Sequence, residues 1–341
     1  MISAENIPTS LTFTDITMKL LLAASLMLAS LASAAQFTVE KTATGGAIVK
    51  ADGQVFAEYI VDQANKPYLA PVFGPTGKQM TRNFPMKTIE GEQHDHPHHR
   101  GICFGHEGIN GVESWAEQAT FGDSPKSAER AIHLGSEKHR EFKTLEAKPD
   151  SAILVSIIDY LDHDGKKYLE EERTMIFRAS EGTRSIEMKQ ILTATEGPVN
   201  FEDKKDAGLS IRVPTEMAVD IEKNKKGSGH IINSEGLTDA DAWGKRAKWC
   251  DYYGIVGGEH VGVAMLNHPS SFRFPTPWHV RTYGLFTANP FGTKSLDKDV
   301  PDGAYDLKKG EYTFLRHLFL FHMGDEKEGK VAAAYEAFAK E

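Results

Sequence analysis

Residues 151–160 read SAILVSIIDY, and the tetrapeptide DHDG follows at 162–165. Ile153, Leu154, Val155, Ile157 and Ile158 form an apolar run consistent with a strand buried on both faces. Asp162-His163-Asp164-Gly165 supplies the turn after it. Two more β-prone runs come next, Lys167 to Phe177 and Arg184 to Thr195, divided by Ser180-Glu181-Gly182. In the second run Ile186, Met188 and Leu192 share one parity, as in a half-buried strand.

The same grammar continues in both directions. Phe37-Thr38-Val39 leads to Gly45-Gly46, Ala47 to Val49 leads to Asp52-Gly53, and Val55 to Val61 follows. This spacing reads as hairpins. Val261 to Leu266 and Tyr312 to Phe321 are further strands. Helix is scarce. Lys330 to Lys340 is Ala-rich, with Val331, Tyr335 and Phe338 spaced for one face, and Thr238 to Lys245 suggests a short turn. No linker, low-complexity tract or short-period repeat divides the chain. The expected fold is all-β, a large antiparallel β-sandwich with a C-terminal helix, in one domain over residues 35–341.

Composition narrows the functional classes. The chain has 341 residues, 40% hydrophobic and 26% charged, which excludes wholesale disorder. A net charge of −9 argues against nucleic-acid binding through a basic face. Two cysteines exclude a disulfide framework and a CxxC-type zinc site. Pairing of Cys103 with Cys250 and two buried thiols are both open readings. Met18-Lys19, the apolar run Leu20 to Leu31 and Ala32-Ser33-Ala34 read as a signal peptide, with translation starting at Met18. Residues 1–34 are then upstream residues plus the signal peptide, no membrane span remains after cleavage, and the expected location is periplasmic or secreted.

The chemistry concentrates in His94-Asp95-His96-Pro97-His98-His99-Arg100-Gly101 and the nearby Phe104-Gly105-His106. Imidazole changes charge near neutral pH and also ligates metals. Pro97 interrupts a ladder, so the segment is a loop or edge strand, with its imidazoles at a surface or cleft. His96, His98, His99 and His106 are therefore candidate acid–base groups. They are also the candidate ligands of a divalent transition metal, although no HExxH or 2-His-1-carboxylate spacing is present and no cofactor is required.

A second segment gathers Asn267, His268, Trp278, His279, Arg281 and Tyr283. Aromatic rings beside hydrogen-bonding side chains suit a sugar; Trp278 in the core of an edge strand is the equal alternative. A third runs from Glu202-Asp203-Lys204 into a strand carrying Arg212, a charge that inside apolar sequence takes a charged partner or ligand. Lys204, Arg100, Asn110, Glu113 and Trp115 complete the candidate binding set. GxSxG, P-loop and helix-opening GxGxxG motifs are missing, which disfavours nucleotide chemistry.

Asp95 to Gly101, Phe104-Gly105-His106, Asn110-Gly111-Val112, Gly208 to Pro214, Asn267-His268-Pro269, Thr276 to Arg281, Tyr283 to Phe286 and Ala288 to Gly292 resemble, in order, the bacterial family labelled PmoA or DUF6807. The resemblance implies an exported protein that accompanies sugar-catabolic enzymes, with a fold like the galactose mutarotase sandwich (a supersandwich). Its oxygenase label adds a metal-dependent oxygenase or hydrolase to the alternatives. The leading expectation is an enzyme using His acid–base chemistry on a sugar or oxidised sugar, of epimerase, lyase or hydratase type. Hydrolysis ordinarily wants two facing carboxylates, and these segments offer scattered ones. The rival is a non-catalytic carbohydrate-binding protein using the same groups.

Overall fold

The structure, a computed structural model, describes residues 35–341 except Asn224. The expected upstream residues and signal peptide at 1–34 lie outside the described residues. Two eight-stranded antiparallel sheets face each other. The first runs, in spatial order, β1 (Phe37–Lys41), β2 (Ala47–Ala51), β3 (Gln54–Ile60), β4 (Tyr68–Val72), β5 (Ile102–His106), β11 (Ala207–Arg212), β18 (Leu285–Ala288) and β17 (Trp278–Val280). The second runs β14 (His230–Asn233), β15 (Trp249–Val256), β16 (Glu259–Asn267), β20 (Tyr312–Met323), β9 (Thr183–Thr193), β8 (Lys167–Ser180), β7 (Ser151–Leu161) and β6 (Ser136–Lys148). Two short pairs, β10 (Val199–Phe201) with β19 (Tyr305–Leu307) and β12 (Asp220–Glu222) with β13 (Lys225–Lys226), stand apart.

The core between the sheets follows from strand parity. Leu169, Met175 and Phe177 of β8 point inward, as do Ala152, Leu154, Ile158 and Tyr160 of β7. Phe56 of β3 meets Phe177 edge to face, with ring centroids 5.4 Å apart. The other face of β7 is half-buried at Ile153 and Val155 and fully buried at Ile157, so the strand is covered wholly on one face and in part on the other. Ion pairs such as Lys143–Glu172 and Arg140–Asp159 lie on the outer side of these strands, where water remains. Glu171 and Arg173 are inward-facing exceptions. They pair at 2.6 Å, and Tyr160 and Gln190 donate to the carboxylate.

Among the described residues, helix is confined to α1 (Pro125–Ala131), α2 (Val331–Phe338) and three 3-10 turns, one at Asp239–Ala242 within the expected turn. The helix α2 packs Val331, Tyr335 and Phe338 against the outer side of the second sheet, over Ala264, Leu266 and Leu320. Its apolar stripe is the one the sequence spacing predicts. Among the described residues the first sheet has no such helix. The outer face of β5, β11 and β18 is nonetheless buried. The histidine-bearing chain between β4 and β5 folds back over this face.

Candidate active site

In β5, Ile102 and Phe104 face the core, so Cys103 and Gly105 face outward. In β11, Leu209 and Ile211 face the core, so Ser210 and Arg212 face outward. Register carries this outer row across five strands: Tyr68 opposite Cys103, Cys103 opposite Ser210, Ser210 opposite Thr287, and Thr287 opposite His279. Gly101 closes the entry to β5 at φ +45°, and a Cβ there would stand 2.0 Å from the Leu69 carbonyl oxygen. Only glycine fits so near an adjacent strand.

Arg212 is the centre of the site. It is buried, and its Nη2 donates to Asp95 Oδ1 (2.8 Å) and to Gln93 Oε1 (2.8 Å). Its Nη1 donates to His99 Nδ1 (3.1 Å), and its guanidinium lies over the Tyr283 ring at 4.8 Å. Arg82, also buried, donates from Nη1 to Asp95 Oδ1 (2.6 Å) and from Nη2 to the His96 carbonyl (3.0 Å). One carboxylate thus joins two guanidiniums. Its other oxygen, Oδ2, takes the Nδ1–H of His96. Burial alone would raise the Asp95 carboxyl; His96, Arg212 and Arg82 outweigh it and hold the group ionised well below the ordinary carboxylate range.

His96 sits at φ +46°, a left-handed conformation costing a non-glycine residue about 1–2 kcal/mol. That strain places its ring parallel to His99 (centroids 4.8 Å, 2°) and to Tyr283 (5.2 Å, 2°). His98 stands edge-on to His99 at 4.4 Å, and Trp115 closes over both. Thr120 Oγ1 pairs with His98 Nδ1 at 3.0 Å. Burial, reinforced by Lys66, pushes His98 down to about 2. Burial, then His98 and Arg212, holds His99 well below its ordinary value. Both rings are neutral at pH 7. Because Arg212 donates to His99 Nδ1, the neutral ring of His99 carries its proton on Nε2. His96 has the opposite arrangement, with Nδ1–H committed to Asp95 and Nε2 free to accept.

The structure brings together His96, His98, His99, Arg100, Trp115, Arg212, Arg281 and Tyr283. Arg100 is clamped to Glu117 at 2.8 Å, and Arg281 lies over Tyr283 at 5.5 Å. His279 shares the outer face; burial lowers it to about 4 and its Nδ1 donates to the Lys205 carbonyl. Glu113, bound to Arg130 at 2.7 Å, and Lys204, beside Glu202 at 3.1 Å, lie at the periphery.

The remaining candidates are elsewhere. His106 has the inward parity of Phe104 and packs between Phe201 and Phe291, where burial lowers it to about 3. Trp278 is in the core, donating Nε1–H to the Ala247 carbonyl. His268 accepts from Arg316 beside Phe338 of α2, on the far side of the other sheet. Asn267 binds His317 and the Thr276 amide. Asn110 occupies a left-handed turn bonded to Asn200. Cys103 and Cys250 are both buried free thiols, one on the outer face and one in the core.

The four histidines named as candidate metal ligands do not converge. Among the described residues no three His, Cys, Asp or Glu side chains are placed to hold an ion. His106 is on the wrong face, and the rings of His96 and His99 lie parallel rather than converging.

A cleft of about 820 Å³ adjoins the cluster, with Gln93, His94, Asp95, Thr282 and Tyr283 on one wall and Asp220 and Lys226 on another. Its size falls in the range of roughly 300–1,000 Å³ usual for small-molecule sites. A second cleft, of about 720 Å³, lies by β6 and touches none of these residues. We assign the site to the first, which meets the histidine-bearing segment at His94 and Asp95 and the stacked ring of Tyr283. Sequence reading missed Arg82, Gln93, Thr120 and Lys66. Asp95 was visible only as a letter between histidines.

These features define a class: a two-sheet antiparallel sandwich with a histidine–arginine cleft on the outer face of one sheet. The chain belongs to DUF6807, a family of unknown function whose profile matches residues 47–336. No curated protein matches it. Among solved structures it is similar to the GH36 α-galactosidase AgaA from Geobacillus stearothermophilus, at 11% identity and a TM-score of 0.41, over 85% of this chain and 41% of that one. It is also similar to a galactose mutarotase related enzyme from Lactobacillus acidophilus (9%, TM-score 0.33, 85% and 98%). A galactose mutarotase-like protein from Lactobacillus casei gives 6%, 0.34, 84% and 100%. The chain spans about two fifths of the α-galactosidase it matches. Among the described residues no helix is long and apolar enough to cross a membrane. The functional reading rests on the site's own geometry.

Proposed function

We propose that the protein is an exported carbohydrate-active enzyme that moves a proton next to the carbonyl of a keto-sugar, in an epimerisation, elimination or hydration. The observation that carries this reading is the Asp95–His96 pair set beside His99. Asp95, held ionised, orients His96 and stabilises the imidazolium formed when Nε2 takes a proton. His99 offers Nε2–H from a neutral ring, as a hydrogen-bond donor to the carbonyl oxygen on which charge develops. Tyr283, half-buried and raised above its ordinary value chiefly by that desolvation, keeps its phenolic proton as a second donor. The parallel rings of Tyr283 and His96 give a sugar's C–H face a surface to stack on.

The test is solvent exchange. Keto-sugars incubated with the protein in D2O should gain deuterium at the carbon beside the carbonyl, read by mass spectrometry. His96→Gln should slow incorporation by about 100-fold or more. Binding without incorporation would replace the enzyme with a carbohydrate-binding protein.

A further inference from the structure

The second cleft lies where one edge of the sandwich stays open. β6 is the edge strand of the second sheet, and β1 of the first sheet lies across from it. Two bulges break the alternation of β6. His139 stands opposite Ile158, Phe142 opposite Ser156 and Leu145 opposite Leu154. The extra residues, Arg140 and Lys143, thus put side chains three apart on one face. That face is the inward one, since Ile158 and Leu154 are core residues. His139, Phe142 and Leu145 line the cleft of about 720 Å³, together with Lys41, Val61 and Asp62 from the first-sheet side.

The tautomer of His139 follows from its hydrogen bonds. Its Nδ1 lies 2.7 Å from Ser156 Oγ, and the Tyr59 hydroxyl lies 3.1 Å from the same oxygen. Tyr59 and Ser156 are buried, and neither hydroxyl has another partner among the described residues. One arrangement gives every buried hydrogen an acceptor: Tyr59 donates to Ser156, and Ser156 donates to His139 Nδ1. Burial, reinforced by Lys41, lowers His139 to about 4, so the ring is neutral at pH 7. Its proton is then on Nε2, which has no partner among the described residues. This N–H donor stands beside the Phe142 ring, with centroids 4.4 Å apart.

The charges of the lining cancel. Arg140 is held on the outer side by Asp159 and Glu170. The Glu137 side chain is 0% exposed, with Oε1 bonded to Ser114. Lys41 and Lys138 remain against Asp62 and Glu141. Such a lining suits a ligand with no net charge, an apolar face for Phe142 and an oxygen to accept from Nε2–H.

We propose that this cleft is a second carbohydrate site, taking an uncharged saccharide whose ring lies on Phe142 and whose hydroxyl accepts from His139 Nε2. The proposal does not rest on the chemistry proposed for the first cleft.

Titration calorimetry of the intact protein with D-glucose, D-galactose, lactose, maltose, D-glucuronate and cyclohexanol tests it, alongside Tyr283→Ala, which removes a stacking ring of the first cleft. At least one uncharged sugar should bind wild type and Tyr283→Ala alike. His139→Phe and Phe142→Ala should each weaken that binding by about 10-fold. Phe142→Tyr should keep it, and the His139 Nε2 resonance should move at saturation. His139→Phe should leave deuterium incorporation into keto-sugars unchanged. No binding by the four uncharged sugars, or binding that survives both His139→Phe and Phe142→Ala, would overturn the site. Binding lost in Tyr283→Ala would assign the sugar to the first cleft and overturn the second. D-glucuronate or cyclohexanol binding as tightly as the best sugar would overturn the ligand class. Binding that depends on His139, with no deuterium incorporation by wild type, would sink the proposed reaction and leave this site standing.

Discussion

Asp95→Asn removes the charge that joins two buried guanidiniums to His96. Breaking a fully buried ion pair costs about 3–5 kcal/mol, whereas an exposed one is worth about 0–1 kcal/mol. The Asp95 side chain is 37% exposed while those of Arg82 and Arg212 are at most 1% exposed, so solvent screens part of the interaction. An intermediate loss of about 2 kcal/mol follows. At about 2–4 °C per kcal/mol for a domain of this size, the melting temperature at pH 7 should fall by about 4–8 °C. The pH dependence has a defined sign. The folded carboxyl lies below its ordinary value of 3.8, so its stabilisation is full above the unfolded pKa and is lost as pH falls through the folded one. The gap between wild type and variant should stay level from about pH 8 to 6 and close below about pH 4. Thermal melts followed by circular dichroism across that range measure it. A drop under about 1 °C, or a gap that persists in acid, would refute the placement of Asp95 between the two arginines.

His96→Gln and His99→Gln should each lower kcat on an exchanging keto-sugar by about 10²–10⁴-fold with a smaller change in KM, as steady-state kinetics would show. Asp203 accepts from Thr293 Oγ1 and from the amides of Lys294, Ser295 and Gly303. Asp203→Ala should destabilise the protein by about 2–3 kcal/mol in urea melts and open the 293–303 loop to protease. Burial lowers His322, but Asp251, 3.0 Å away, outweighs it and raises the imidazole above 6.5. That stabilisation is full below the unfolded pKa and is lost as pH rises through the folded value. The melting deficit of Asp251→Asn should therefore be larger at about pH 6 than at about pH 9.

The sandwich was legible because strand parity and turn residues are local. Ile186, Met188 and Leu192 take one face, and Val331, Tyr335 and Phe338 make a helical stripe; neither pattern needs knowledge of a partner. The site was legible only where chemistry clusters along the chain. His96, His98, His99 and Arg100 are neighbours in sequence, and the register of β11 and the turn after β17 deliver Arg212 and Tyr283 to them. His106 was misplaced because one residue of parity decides which face of β5 a side chain takes. Trp278 and His279 show the same alternation: the tryptophan enters the core and the histidine faces out. Arg82 and Lys66 carried no local signal. A lone Arg in Thr81-Arg82-Asn83 and a lone Lys in Asn65-Lys66-Pro67 read as surface residues, and only tertiary packing buries them.

The central claim is that sugar binds against His96, His99 and Tyr283 on the outer face of the first sheet. Histidine-labelled protein observed by heteronuclear NMR during titration with keto-sugars and sugar acids tests it directly. The account predicts shifts for His96, His98 and His99, with His106, His317 and His322 unmoved. Shifts confined to the latter group, or saturable binding that moves no histidine of the cluster, would contradict it.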